Sequence, residues 1–275
     1  MTERASRSGP TLYCWNPKRK RFSNRLLHSL PLYKRPKNFG DLLGPMIAAR
    51  LLDKYGYRGE PRVAGEPDAV APNLLTIGSV LHFARDGDIV WGSGRNGKIP
   101  DEAHTFENID IRMVRGPLTK SFLEARGFSV PNILGDPGIL VAELFPELRA
   151  LAQKKHYELT VIPNLNDQRA KFSGYPVTNP TEDTWRILER IARSKLVVSA
   201  SLHGIIVAEA LGAPVRVLRS DAEPEFKYLD YFLGTGRSEF TIYETIDSSI
   251  SGISPELPSF DAKRMIEAFP YDLFC

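Results

Sequence analysis

Cysteine is scarce in this sequence. The two present among 275 residues, Cys14 and Cys275, lie at opposite ends and form no spaced motif. That pattern excludes a disulfide framework or a cysteine-based zinc site as the organising device, and a reducing compartment is expected. Long apolar runs are also missing, since no stretch approaches the roughly 18 residues that a bilayer span requires. The opening MTERASRSGP has no apolar secretory core, so a cytoplasmic location is expected. The chain has no GxGxxG, Walker, HExxH or EF-hand pattern, so neither a common nucleotide fingerprint nor a metal site is expected.

Acid is absent from one region. Between Glu3 and Asp41 stand ten bases and no acid: Arg4, Arg7, Lys18, Arg19, Lys20, Arg21, Arg25, Lys34, Arg35 and Lys37. The rest of the chain is net acidic, so the overall charge of +3 conceals a strong asymmetry. Within KRKRFSNRLLHSLPLYKRPK, Phe22, Leu26, Leu27 and Leu30 would share one side of a short helix. A basic amphipathic segment over residues 4–37 suits an anionic membrane surface, while its leucines could equally dock on the protein's own core. Nucleic acid is not expected as a partner, because the body is acidic and no recognition motif accompanies the strip.

From Asn38 onward, short apolar runs alternate with helical patterns. Strands are predicted at Leu74–Ile77, Ile89–Trp91, Ile111–Val114, Asn132–Leu134, Leu159–Ile162, Leu196–Ser199 and Val215–Leu218. Helices are predicted near 42–55, 117–126, 182–194, 204–211, 225–232 and 260–268. This alternation, with continuously apolar strands, predicts an α/β fold whose parallel sheets are covered on both faces. Residues 144–157 read as a switch between halves, and the polar stretch 163–180 as a long functional loop. Several strand ends open into glycine-bearing turns: IGS at 77–79, WGSG at 91–94, VRGP at 114–117, LGDPG at 134–138 and SLHG at 201–204. Ligands of open α/β sheets bind outside the carboxyl ends of the strands, so these turns are where chemistry is sought.

The seam VVSASLHGIIVAEALG places Ser199, Ser201 and His203 where a strand passes into a helix. Unpaired N–H groups and the helix dipole make such an end attractive to anions. His203 could donate to a phosphate or deliver a proton, or be a core histidine bonded to a carbonyl. Asp41 could act as a base, or cap a helix starting at Leu42. Glu209 interrupts an apolar helix and needs a partner such as an arginine. Asp136 reads as a turn former, and His82 and Trp91 as packing residues near the cleft.

The stretch SLHGIIVAEALGAP resembles the histidine-bearing motif of the polysaccharide pyruvyl transferases. NFGDLL at 38–43, GSVLHFARDGDIVWGSGRNGKIP at 78–100, VRGPLT at 114–119, LGDPGIL at 134–140, FKYLDYFLGTGR at 226–237 and AFPYDLF at 268–274 extend the resemblance. The set is most similar to the xanthan-type ketal pyruvyl transferases of bacterial exopolysaccharide synthesis. That resemblance implies two Rossmann-like domains in a GT-B-like arrangement with an interdomain cleft. The expected division is a basic segment 1–37, domains 38–150 and 151–259, and a tail 260–275 packing back on the first domain.

The resemblance also implies the reaction. Phosphoenolpyruvate gives its three-carbon unit to two hydroxyls, 4 and 6, of a sugar in a lipid-linked repeat unit, and phosphate leaves. No cofactor is then required, and a peripheral position on the inner face of the cytoplasmic membrane is expected. His203, Asp41 and Arg115 become the candidate catalytic residues. Ser201, Leu202, Gly204, Lys98 and Arg237 become candidate donor contacts, and Glu209 and Asn164 candidate acceptor contacts. The alternative on the same fold is a nucleotide-sugar glycosyltransferase, in which Glu209 would hold a ribose; a non-catalytic saccharide or anion binder is a third reading.

Overall fold

The structure, a computed structural model, describes residues 9–20, 32–68 and 70–274. The strands are Thr11–Tyr13 (β1), Arg19–Lys20 (β2), Tyr33–Lys34 (β3), Val63–Ala64 (β4), Asn73–Leu75 (β5), Ile89–Trp91 (β6), Asp110–Met113 (β7), Thr160–Ile162 (β8), Val197–Ser199 (β9), Val215–Leu218 (β10) and Ile242–Tyr243 (β11). The α-helices are Phe39–Lys54 (α1), Pro117–Ala125 (α2), Val141–Leu144 (α3), Pro146–Ala152 (α4), Thr184–Ala192 (α5), Leu202–Ala210 (α6), Phe226–Gly234 (α7), Ile246–Ile250 (α8) and Ala262–Glu267 (α9).

Two parallel sheets carry the fold, in the orders β4-β1-β5-β6-β7 and β11-β10-β9-β8, and β2 pairs antiparallel with β3. Parallel strands are buried on both faces, which is why Leu74–Leu75, Ile89–Trp91 and Val197–Val198 run apolar without alternation. Expected strand 132–134 contributes only an isolated bridge, Val114 to Leu134. The supposed switch at 144–157 is largely the short helix α4, which a proline at its first position starts.

The described part of the N-terminal segment is not an appendage. Its Thr11–Tyr13 lies between β4 and β5 in the first sheet, fully buried. Three apolar-leaning residues between a proline and a basic run give too little periodicity to reveal a strand. The proposed amphipathic helix with Phe22, Leu26, Leu27 and Leu30 lies outside the described residues.

The largest core does not stop at the boundary between the sheets. It joins Leu12, Leu74 and Trp91 of the first to Val197, Val215 and Val217 of the second, through Leu43, Ile47 and Leu51 of α1 and Ile187 and Ile191 of α5. The C-terminal segment packs on the first sheet. The Trp91 indole N–H donates to the Met265 carbonyl at 2.9 Å, and Phe269 meets Trp91 edge-on with ring centroids 5.0 Å apart. Among the described residues no helix is long and apolar enough to cross a membrane.

Candidate functional site

The carboxyl ends of strands from both sheets point at one cavity of about 250 Å³. The first sheet supplies Trp15 and Arg19 beyond β1, Gly78 to Val80 beyond β5, and Asn96 and Lys98 beyond β6. The second supplies Asn164 to Asn166 beyond β8, Ser201 to His203 beyond β9, and Glu223 beyond β10. Asn38 and Asp41 at the start of α1 and Lys227 at the start of α7 complete the wall. The cavity therefore sits where parallel sheets place ligands.

Two helices present their amino ends to this space. Ser201 stands at the cap position of α6, with no side-chain cap bond among the described residues. Leu202 and His203 follow in the first turn, so backbone N–H groups and the positive dipole end face the cavity. Ser199 does not reach the crevice. Its buried hydroxyl pins the turn, accepting from Ser201 N–H at 3.0 Å and donating to the Ser201 carbonyl at 2.8 Å. Gly204 also lies behind the wall: a Cβ there would come within 2.3 Å of the Ser199 hydroxyl, so its smallness lets α6 approach β9.

His203 is buried between α1 and the segment that follows α2. A Cβ on Gly40 would lie 2.2 Å from its Nδ1, and its Nε2 lies 3.8 Å from Asp136 Oδ2. Burial, helped by the cations Lys227 and Arg115, pushes the imidazole down to about 3, so the ring is neutral at pH 7. Helix α1 begins at Phe39, with Asn38 at the cap position, so Asp41 lies inside the first turn and is not the cap. The Asn38 amide donates to Asp41 Oδ2 at 2.7 Å. Desolvation raises the Asp41 carboxyl to about 6, against the pull of Asn38.

Asn164 lines the cavity because Asp167 holds its loop: Asp167 accepts from Asn164 N–H at 3.0 Å and from the Ser220 hydroxyl at 2.6 Å. Lys98 also faces the cavity and pairs with Glu223 at 2.8 Å. His82 lines the space as well, pushed down to about 4 by burial.

Besides Gly204, three expected site residues sit elsewhere. Arg115 is wholly buried one layer back. Its guanidinium donates to Asp230, to the Ser79 hydroxyl at 2.7 Å and to the Arg95 carbonyl at 2.8 Å. Asp230 also accepts from Leu118 N–H and Thr119 N–H, capping α2 in place of Gly116, which has no side chain to do so. Arg237 and Glu209 form a buried pair with each other, Nη2 to Oε2 at 3.1 Å, with the Tyr231 hydroxyl donating to the same carboxylate at 2.6 Å. Neither lines the cavity.

Among the described residues, the cations that do face the cavity are Arg19, Lys98 and Lys227. Lys227 is the residue that sequence reasoning missed. It is 7% exposed, lies 3.4 Å from Glu223, and burial lowers it to about 8. The signal was present: a lysine on the buried face of the otherwise aromatic FKYLDYF helix is costly unless it has work to do. Among the described residues no group of three His, Cys, Asp or Glu side chains is arranged to hold a metal ion.

The chain is 32% identical over 173 residues to the succinoglycan biosynthesis protein ExoV of Rhizobium meliloti, covering 58% of this chain and 52% of that one. The chain thus spans about half the length of that relative. It is 28% identical over 231 residues to the uncharacterized protein L143 of Acanthamoeba polyphaga mimivirus, covering 76% and 75% of the two chains. An uncharacterized Klebsiella pneumoniae protein of known structure aligns over 86% of this chain and 94% of its own, at 12% identity and a TM-score of 0.47. The family model for polysaccharide pyruvyl transferase matches residues 38–221, more than half of the chain and most of the cavity wall. This chain belongs to the polysaccharide pyruvyl transferase family.

Proposed function

We propose that the chain transfers the pyruvyl group of phosphoenolpyruvate to two hydroxyls of one sugar, making a cyclic ketal and releasing phosphate. The observation that carries this reading is the convergence of two helix amino ends, three cations and His203 on one cavity, a set suited to a small, highly charged anion. Lys227, mostly protonated at pH 7, and the α6 amino end hold phosphate and carboxylate. Asp41, mostly ionised there, takes the proton of an attacking sugar hydroxyl.

The chemistry proceeds by protonation of the donor's methylene carbon, giving an oxocarbenium-like centre. One sugar hydroxyl adds to it, the carbon–oxygen bond to phosphate breaks, and the second hydroxyl closes the ring. His203 is neutral before the donor arrives, so its free ring nitrogen must take up a proton before it can deliver one to the methylene carbon. The donor's negative charge offsets Lys227 and Arg115, two of the causes that depress the imidazole, and so raises its proton affinity. No metal or organic cofactor takes part in this scheme.

The acceptor in this reading is a lipid-linked saccharide of exopolysaccharide synthesis, taken at its 4 and 6 hydroxyls, with the protein peripheral on the inner face of the membrane. Support comes from Trp15 and Arg19, which join the cavity to the basic β2–β3 hairpin, where Leu32 and Tyr33 are exposed beside Lys18, Lys34 and Arg35. The two-lobed GT-B-like arrangement belongs to the same proposal, supported by two parallel sheets that meet at the cavity. The family match favours pyruvyl transfer over the nucleotide-sugar alternative.

The test is phosphate release from phosphoenolpyruvate, measured with and without a lipid-linked saccharide, alongside mass spectrometry of the acceptor. Release that needs both substrates, with a ketal mass gain, is expected. Turnover with a nucleotide sugar and none with phosphoenolpyruvate would overturn the reading. Membrane docking is tested separately by reversing Lys18, Lys34 and Arg35 to Glu and measuring binding to anionic vesicles. Truncation is unsuitable, because residues 11–13 are a central strand.

A further inference from the structure

His203 and Asp136 each have a buried polar atom without a hydrogen-bond partner among the described residues, as does His82 in the cavity wall, but only the first two present those atoms to each other. Asp136 Oδ1 is engaged, accepting from Gly138 N–H at 2.9 Å where it caps the 3-10 turn Pro137–Leu140. Asp136 Oδ2 and His203 Nε2 have no hydrogen-bond partner among the described residues, and they face each other at 3.8 Å. Asp136 is wholly buried and the imidazole nearly so. A buried carboxylate oxygen and a buried ring nitrogen both left unpaired in a folded protein call for a reason. The gap exceeds a hydrogen bond by about 1 Å, which a small ring rotation closes.

We infer that Asp136 is a positioning residue for His203: its Oδ2 receives the Nε2–H of the neutral imidazole, leaving Nδ1 as the nitrogen available to the ligand. The placement of Gly40 supports this. Nδ1 lies over that glycine, and any side chain there would displace the ring. Gly40 lies beside Asp41 and two residues from Asn38, both in the cavity wall, so Nδ1 packs against the wall segment while Nε2 faces Asp136. The arrangement mirrors a carboxylate–histidine pair that fixes a tautomer, with the roles of the two ring nitrogens exchanged.

The other charged groups acting on the ring are Lys227 from α7 and Arg115 behind it, and Asp41 in the first turn of α1 lines the same cavity. The two cations favour the neutral ring, and Asp136 is the carboxylate within ion-pair distance of Nε2. The inference rests on the reading that His203 serves the transfer reaction. Asp136, read from sequence as a turn former, thus has two jobs, one for each carboxylate oxygen.

The experiment is nitrogen NMR of the His203 side chain, assigned by its loss in His203→Gln, together with the pH profile of kcat/KM. The wild-type chain should hold its proton on Nε2. Asp136→Asn keeps the oxygen that caps Gly138 but turns an amide N–H toward Nε2. The proton should then move to Nδ1, and kcat/KM should fall by about 100-fold or more. Asp136→Ser, which also retains a cap oxygen, should give mixed tautomers and an intermediate rate. An unchanged tautomer and rate in Asp136→Asn would overturn the inference. Failure of the parent reading is distinct: His203→Gln would then turn over normally, whatever the tautomer result.

Discussion

Two buried ionic clusters lie within this molecule, and they are opposites. Around Arg237, the guanidinium donates to both oxygens of Glu209, to the Thr235 hydroxyl and to the Glu256 carbonyl, so every N–H has an acceptor. Around His203, the ring nitrogen Nε2 and Asp136 Oδ2 lack partners among the described residues, and Lys227 has a carboxylate only at 3.4 Å. Each cluster contains a residue that the sequence nominates for the site, Arg237 in one and His203 in the other. The saturated one is finished within the protein and ties α6 to the end of α7 and to the Glu256 segment. The unsaturated one has donors to spare, and it opens on the cavity. Incomplete pairing of costly buried groups, more than charge itself, separates a binding site from a structural brace.

The contrast can be broken most sharply at His203. His203→Ala should lower kcat/KM by roughly 10²–10⁴-fold, as loss of a proton-transfer or activating group does, with cooperative thermal unfolding retained. Phosphate-release kinetics and a melting curve check this, and normal turnover would erase the distinction.

Next in size is Arg237→Ala, which leaves Glu209 buried without its charge partner. It should cost about 3–5 kcal/mol in denaturant unfolding. Replacing both partners, Glu209→Met with Arg237→Leu, should recover most of that loss. A stable Arg237→Ala protein that had lost donor binding would return Arg237 to the site.

Lys227→Met should weaken phosphoenolpyruvate binding about 10–100-fold by removing a charge-assisted donor, which titration calorimetry would read. Because burial sets Lys227 near 8, wild-type donor affinity should decline as pH rises through 8, and the variant should lack that decline.

The smallest effect concerns Asp41. Its carboxyl rises from 3.8 to about 6 on burial, so ionisation is harder in the native state than in the unfolded chain. The resulting cost to stability is fully present above pH 6 and absent below pH 4. Asp41→Asn should therefore raise the melting temperature by a few degrees at pH 8, and match wild type near pH 4. A gain that persisted at pH 4 would assign the effect to something other than the carboxylate's charge.

Much of the architecture was legible in the sequence because parallel strands are apolar on both faces and helices repeat every 3.6 residues. Ile89–Trp91 and Val215–Leu218 are strands as predicted, and the helix near 117–126 spans Pro117–Ala125. Thr11–Tyr13 was not legible, since a three-residue strand beside a basic run has no period to read. The site divides in the same way. His203, Asp41, Ser201, Leu202, Lys98 and Asn164 reach the cavity, as residues at strand ends and helix starts do. Arg115, Arg237, Glu209 and Gly204 do not.

What the sequence determined alone is local: which segments bury both faces, where turns interrupt them, and which titratable residues stand at the seams. Those follow from nearest-neighbour sterics and from apolar periodicity. The tertiary structure decided which charges meet. Asp230 reaches Arg115 across 115 residues, Glu209 meets Arg237, and Lys227 arrives beside His203 from another helix. The energy of an ion pair depends on a separation of a few ångströms and on the exclusion of water, and neither quantity exists until distant segments pack.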